Sequence, residues 1–376
     1  MSKKSKEQLK KIVNFCFDEW DQKKQLIEPE IEVKFGTKGI KSISKIDYEN
    51  VAKKLLASDF KAKSTDIYTL KIDSQYLDAR TGRYQRSNIR VELVGLNSSQ
   101  YYCETDNLQS VIDQGFQVRF IRKSPAKVNN EKVFPADYND FNFRVSYNIE
   151  EELPINNGSV REILQNWFKV KKTFRYISRT TFVNENYPFL IDMSYVRSSS
   201  WNKETRRPIQ TYSIKDSNVF NNNINYEIEA EMDHPVYVLG PDLYYKTRDE
   251  VVKGIENISK IILSGLQKTN FPISYPNQTK VLHELMKLIH DNEFDETKRI
   301  YPSMFLGPSS KTLQIENIVS NGENLNTPNI RTNYLVTEKA DGIRNLLFIN
   351  NDGLIYLLNM NMEIIFTGAK SDNDSV

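Results

Sequence analysis

Tyr226-Glu227-Ile228-Glu229-Ala230-Glu231-Met232 sets carboxylates at every second position, so a β-strand through it aims Glu227, Glu229 and Glu231 at one face and Ile228, Ala230 and Met232 at the other. Near the other end of the chain, Glu30-Ile31-Glu32-Val33-Lys34-Phe35 repeats the device with Glu30, Glu32 and Lys34. Like charges side by side on a sheet face repel, and a chain has no structural reason to stack them twice unless cations sit among them. Two such strands meeting in space would make a divalent metal site. Oxygen-only ligation without His or Cys suits Mg²⁺ or Mn²⁺ and argues against zinc, and a hard ion of that kind points to phosphate chemistry.

Between these two stretches the strand period recurs at 28–36, 66–73, 87–95, 116–123, 141–149, 173–183, 189–197, 209–215 and 225–232, with short helices expected near 46–58, 106–114 and 159–168. Many strands at short spacing imply a closed or nearly closed antiparallel barrel, which leaves no exposed edge. Parity then assigns faces. Arg90 and Glu92 oppose Ile89, Val91 and Leu93; Arg144 and Ser146 oppose Phe143, Val145 and Tyr147. Arg119 and Lys123 oppose Val118 and Phe120, with Arg122 left open; Arg175 and Arg179 share a face, and Asp192 and Ser194 oppose Ile191 and Met193. If these polar faces turn inward, the lumen is lined by acids in one region and by Arg and Lys elsewhere, the arrangement that a metal-bound triphosphate requires.

The whole chain has 376 residues, long for one core, so two domains and a connector are expected. Lys plus Arg at 51 against Asp plus Glu at 49 leave a net charge of +2, which excludes a generally basic coat and makes any polyanion contact a matter of local clustering. Cys16 and Cys103 lack metal-ligand spacing and are expected as reduced thiols, and His234, His283 and His290 are too few to favour histidine catalysis. No apolar stretch approaches a membrane span, and a soluble, cytoplasmic protein is expected. Low complexity is limited to the Asn run at 221–223, and no solenoid repeat is present.

Residues 5–24 carry an amphipathic helical pattern. After Leu239-Gly240-Pro241-Asp242 the period changes to that of two helices, marked by Val251, Ile255, Ile258 and Ile262 and by Val281, Leu285 and Ile289. New strands are expected at 333–338, 344–350 and 353–359, with a hairpin turn at Asn350-Asn351-Asp352-Gly353. The expected division is 1–240 for the barrel, 241–300 for a helical connector and 301–376 for the beginning of a second domain.

Over residues 28–235 the paired Glu-x-Glu strands and the cation-bearing faces resemble the tunnel-type, metal-dependent triphosphatases, whose two such strands bind the metal inside an eight-stranded barrel. Downstream, Lys339-Ala340-Asp341-Gly342-Ile343-Arg344 resembles the Lys-x-Asp-Gly motif of mRNA guanylyltransferases and of DNA or RNA ligases. The order of the two is similar to that in the multifunctional mRNA capping enzymes of large nucleocytoplasmic DNA viruses. The resemblance implies a mixed α+β chain: an eight-stranded antiparallel β-tunnel with flanking helices, then a helical linker and the first strands of a nucleotidyltransferase domain. It implies that Glu30, Glu32, Glu227 and Glu229 hold Mg²⁺ or Mn²⁺, and that Glu231 ligates through water or orients the nucleophile. Arg90, Lys123, Arg144 and Arg179 would grip the triphosphate, with Arg122, Lys172 and Arg175 competing with Lys123, and Asp192 would position one of the cations. The implied reaction removes the γ-phosphate of 5′-triphosphate RNA.

Lys339 would then take GMP from GTP, with Arg344 on the nucleotide, although the family's downstream motifs are absent before Val376 and guanylyltransferase activity is expected to be incomplete. Implied partners are triphosphate RNA, GTP in a full-length enzyme, and a methyltransferase or the remaining capping region. The implied location is host cytoplasm, viral factory or virion. Alternatives are a tunnel enzyme acting on thiamine triphosphate, polyphosphate or free nucleotides, a non-catalytic barrel that docks RNA or a partner, and a ligase fragment read from Lys339 alone.

Overall fold

The computed structural model describes residues 3–23, 28–78, 80–128, 131–205, 207–290, 293–307, 312–319, 328–331, 333–338 and 341–371. Two compact units divide the chain, Met1–Lys268 and Thr269–Val376, with the boundary inside the span read from sequence as a connector.

In the first unit eight long strands close on themselves: β1 (Glu28–Phe35), β2 (Lys61–Asp78), β3 (Arg83–Val94), β4 (Val118–Pro125), β5 (Phe143–Glu152), β6 (Lys172–Asn184), β7 (Tyr187–Ser198) and β8 (Asn225–Met232). Their order around the barrel is β1-β8-β7-β6-β2-β3-β4-β5, every pair is antiparallel, and β1 pairing with β5 as well as β8 closes the ring. The expected antiparallel β-tunnel with flanking helices is what the chain forms. A short strand, Ala136–Tyr138, lies along β5.

The apolar side chains of this barrel point outward, onto helices. One core gathers Ile31, Val33, Val145, Ile191, Ile228 and Ala230 under α1 (Lys3–Lys23), α2 (Lys45–Leu56) and α6 (Arg248–Leu266). The other gathers Leu70, Ile72, Val91, Leu93, Phe120 and Phe174 under α3 (Leu96–Thr105), α4 (Leu108–Asp113) and α5 (Gly158–Asn166). Each fully buried aliphatic side chain contributes roughly 1.5–3 kcal/mol, so these two shells, not the lumen, hold the barrel together. Ser44 caps α2 with a reciprocal bond to Asp47, and Thr247 caps α6 by accepting from the Glu250 N–H.

Two expected strands do not form. Residues 209–215 make a single bridge, Thr211 to Lys172, because Ser213 Oγ accepts the Asp216 N–H and donates to its carboxylate, turning the chain into a 3₁₀ segment. Residues 333–338 form no strand either; Leu335 and Val336 are fully exposed, with no sheet face to bury them.

The second unit packs α7 (Tyr275–Ile289) on an antiparallel meander of β9 (Asn345–Ile349), β10 (Leu354–Asn359) and β11 (Ile364–Lys370), through Val281, Leu285, Met286, Phe348, Tyr356, Leu358 and Ile364. The turn expected at 350–353 is present: Asn350 Oδ1 accepts the N–H groups of Asp352 and Leu354, and Gly353 takes the left-handed φ of +76°. Among the described residues no helix is long and apolar enough to cross a membrane.

Candidate active site

With alternate residues committed to the outer cores, the remaining face of every barrel strand lines the lumen. All eight strands send a charged side chain into one continuous belt. Lys71 of β2 pairs with Glu92 of β3 at 3.2 Å, Arg90 of β3 touches Glu92 at 2.5 Å and Glu150 of β5 at 3.8 Å, and Glu150 meets Lys123 of β4 at 3.2 Å. Lys123 reaches Glu30 and Glu32 of β1 at 2.5 and 3.5 Å, and Lys34 of the same strand bridges Glu32 at 2.9 Å to Glu229 of β8 at 3.0 Å. Arg179 of β6 lies 4.0 Å from Glu229 and 2.5 Å from Asp192 of β7, whose other oxygen accepts from Thr181 at 2.6 Å. Arg119 joins from β4, 2.8 Å from Glu152 and 3.9 Å from Glu92. The buried members, Glu30, Glu32, Glu92 and Asp192, each meet a cation, which offsets the cost of taking their charge out of water.

Strand register decides which acids face one another. Glu231 stands opposite Glu32, and Glu229 stands opposite Lys34. Glu227 lies one step nearer the mouth, where both its oxygens accept from Arg175 at 2.7 and 2.8 Å. Glu229 and Glu231 are titrated in opposite directions. Burial works against ionisation at Glu229, but Lys34, then Arg179 and Lys71, outweigh it and hold that carboxyl at about 2. At Glu231 burial and the negative charges of Glu30, Asp192, Glu32 and Glu150 act together, raising it to about 8. Burial likewise raises Glu30 in spite of Lys123, and lowers Lys71 in spite of Glu92.

Other expected site residues lie elsewhere. Arg144 shares the lumen parity but is drawn to Asp137 (2.6 and 3.0 Å), which also pairs with Lys38. Arg122 points outward to Glu151 at 3.0 Å. Lys172 is buried behind the barrel, its Nζ donating to the carbonyls of Trp167 (2.7 Å) and Val170 (3.0 Å), so it does not compete with Lys123 for the lumen. Arg344 lies over the Phe305 ring, 5.5 Å from its centroid. Lys339 falls outside the described residues.

Lys34, Lys71, Glu92, Arg119 and Glu150 belong to the belt without having been singled out as site residues. Parity marks Lys71 in Leu70-Lys71-Ile72-Asp73 and Glu92 beside Arg90; only register brings Glu150 to Lys123.

Among the described residues no group of three or more His, Cys, Asp or Glu stands in an arrangement that could hold a metal ion. The carboxylates are turned onto Lys34 and Lys123 instead. In kind, the donors still fit a hard cation. They are all carboxylate oxygens, Glu231 is surrounded by acids, and the buried Glu30 Oε2 and Glu32 Oε2 accept no hydrogen bond of good geometry although Lys123 is near both.

No family model matches this sequence, and no curated protein does. Among solved structures, the chain is similar to the Pct1 RNA triphosphatase of S. pombe, at 15% identity and a TM-score of 0.33 over 67% of this chain and 84% of that one. The same enzyme in complex with the Spt5 CTD gives 11% identity and a TM-score of 0.32 over 69% and 88%. The PH1012 protein of Pyrococcus horikoshii OT3 gives 13% and 0.27 over 62% and 89%. At these identities and scores the likeness says nothing of what this chain acts on.

Proposed function

We propose that the barrel is a tunnel-type, metal-dependent triphosphatase that removes the γ-phosphate from 5′-triphosphate RNA, the first step of mRNA capping. The observation that carries this reading is the belt of carboxylates and cations to which all eight strands contribute. A triphosphate with its divalent ion presents both signs of charge along one short rod, and the belt offers the complement of each.

Glu30, Glu32 and Glu229 would hold Mg²⁺ or Mn²⁺, which when bound supplies Lewis acidity toward the phosphoryl oxygens. Arg90, Lys71, Lys123 and Arg179 exchange carboxylate partners for phosphate oxygens, and the two arginine forks suit bidentate contact with them. Asp192 and Thr181 keep Arg179 oriented, so its charge is already in place as negative charge builds on the leaving oxygen. Glu231, which no cation pairs among the described residues, accepts a hydrogen bond from the attacking water and aligns it. Arg175 and Arg144, each held by an acid nearer the lumen's end, meet the outer part of the substrate.

The downstream Lys339-to-Arg344 motif supports placing this barrel in a viral-type capping enzyme, with Lys339 accepting GMP from GTP and Arg344 contacting the nucleotide. The deciding experiment is phosphate release from 5′-triphosphate RNA with Mg²⁺, with Mn²⁺ and with EDTA, beside ATP, thiamine triphosphate and polyphosphate. Release that needs the ion and favours RNA is expected; release from none of these substrates would remove the catalytic reading.

A further inference from the structure

Antiparallel pairing fixes which segments meet at each end of the tunnel. The C-terminal ends of β1 and β7, the N-terminal ends of β6 and β8, and the β2–β3 hairpin share one mouth. β3 pairs with β4 only over Ile89–Leu93, so the hairpin from Gln75 to Asn88 runs on past it. Its sequence, Arg80-Thr81-Gly82-Arg83-Tyr84-Gln85-Arg86, interleaves three guanidinium groups with an aromatic ring. Arg80, 93% exposed, lies 3.8 Å from Asp78, and Arg86 pairs with Asp73 at 2.5 Å, while Arg83 has no ion pair among the described residues and Tyr84 is 53% exposed. Tyr84 lies opposite Leu77, beyond the register shift that separates the hairpin tip from the lumen-lining part of β3. Beside the hairpin is a cavity of about 420 Å³ lined by Tyr76, Tyr84, Asn88, Asn166 and Lys169 among others.

The opposite mouth has the reverse character. It receives Glu150, Glu151 and Glu152 from the end of β5, Glu30 from the start of β1 and Glu231 from the end of β8. The cations there are paired as well, Lys123 with Glu30 and Glu150, Arg119 with Glu152 and Lys61 with Glu185, whereas Glu231 meets no cation among the described residues. The acids gathered at that end, Glu231 among them without a cation, make it less favourable to a polyanion than the hairpin end, where Arg83 meets no carboxylate among the described residues.

We propose that the β2–β3 hairpin is the docking surface for the 5′-proximal nucleotides of single-stranded RNA, with Arg80 and Arg83 on backbone phosphates and Tyr84 stacked on a base, so that the triphosphate enters the lumen from this mouth. Guanidinium groups alternating with an exposed ring form the sequence-tolerant surface that single strands take, since every base has a π-face. The inference rests on the triphosphatase reading of the barrel and adds to it a direction of entry and a contact surface.

The test uses the full chain, wild type and Arg80→Ala/Arg83→Ala/Tyr84→Ala. Phosphate release is followed from a short 5′-triphosphate RNA and from ATP, and the same RNA carrying 4-thiouridine at its third nucleotide is photo-crosslinked and the attached peptide mapped. The triple variant should raise KM for RNA about tenfold or more, make that KM less sensitive to salt, and leave ATP kinetics and melting unchanged. The crosslink should fall within residues 75–88. Parallel losses on RNA and ATP, unchanged kinetics on both, or a crosslink at 28–30 or 148–152 overturns the inference. RNA turnover with the crosslink elsewhere sinks this inference alone. A hairpin crosslink without any phosphate release sinks the triphosphatase reading and keeps the RNA surface.

Discussion

At the scale of single residues, the proposed reaction makes some belt acids matter to chemistry more than to folding. Removing Glu32 takes one carboxylate from a crowd that includes Glu30, and removing Glu229 leaves Arg179 its closer partner Asp192. Glu32→Ala and Glu229→Ala are each expected to lower metal-dependent phosphate release at least a hundredfold, the order of loss typical when a transition-state contact is deleted, while metal-free melting stays near wild type in Glu32→Ala and falls in Glu229→Ala, which removes a carboxylate that Lys34, Arg179 and Lys71 keep ionised. Near-normal turnover in either variant would refute the metal assignment. Lys172 tests a different balance. Burial lowers its amine to about 8, so between about pH 8 and its unfolded value of 10.5 the unfolded chain binds more protons than the folded one, and its contribution to stability rises with pH. Denaturant unfolding from pH 7 to 10.5 should show wild type gaining on Lys172→Met by on the order of 3 kcal/mol across that window, whereas parallel profiles would mean an unperturbed amine. The side-chain face of both kinds of residue was open to inspection in the sequence, since Glu229, Arg179 and Lys123 follow a period of two. Which acid confronts which cation was not, because Glu231 meets Glu32 through a pairing that spans most of the barrel's sequence.

Among the elements, β2 shows what a strict period misses. Its alternation is legible over 66–73, yet the strand runs from Lys61 to Asp78 because register shifts near Ser64 and after Asp73 break the pattern without ending the ladder. The helices are legible by their apolar stripes, but not their closeness. At Gly265 on α6 an added Cβ would stand 2.7 Å from the Val51 Cα and 3.2 Å from the Asn50 carbonyl oxygen on α2. Backbone cannot rotate out of the way, so Gly265→Ala must push the two helices apart. A loss of about 1–3 kcal/mol in denaturant unfolding is expected, against the small gain that the same change brings in an unobstructed helix. A stabilised variant would show that α2 and α6 can separate without cost.

For the whole molecule, each hydrophobic core draws its residues from a single unit: the two around the barrel use nothing beyond Leu266, and the third begins after Lys268. A chain ending at Lys268 is therefore expected to melt cooperatively and to keep metal-dependent phosphate release within about twofold of the full chain, as a domain with its own core does. Circular dichroism melting and the release assay decide it, and an unfolded or inactive fragment would show that the barrel depends on residues beyond Lys268. The outward-facing cores carry one more implication, for how such a chain can change over generations. Most proteins keep their apolar centre where a barrel like this keeps its chemistry, so new reactivity there is gained at the expense of the fold. Here the lumen side chains proposed to meet a substrate and those that keep the chain folded point in opposite directions from the same strands, and each set is free to drift while the other stays under selection.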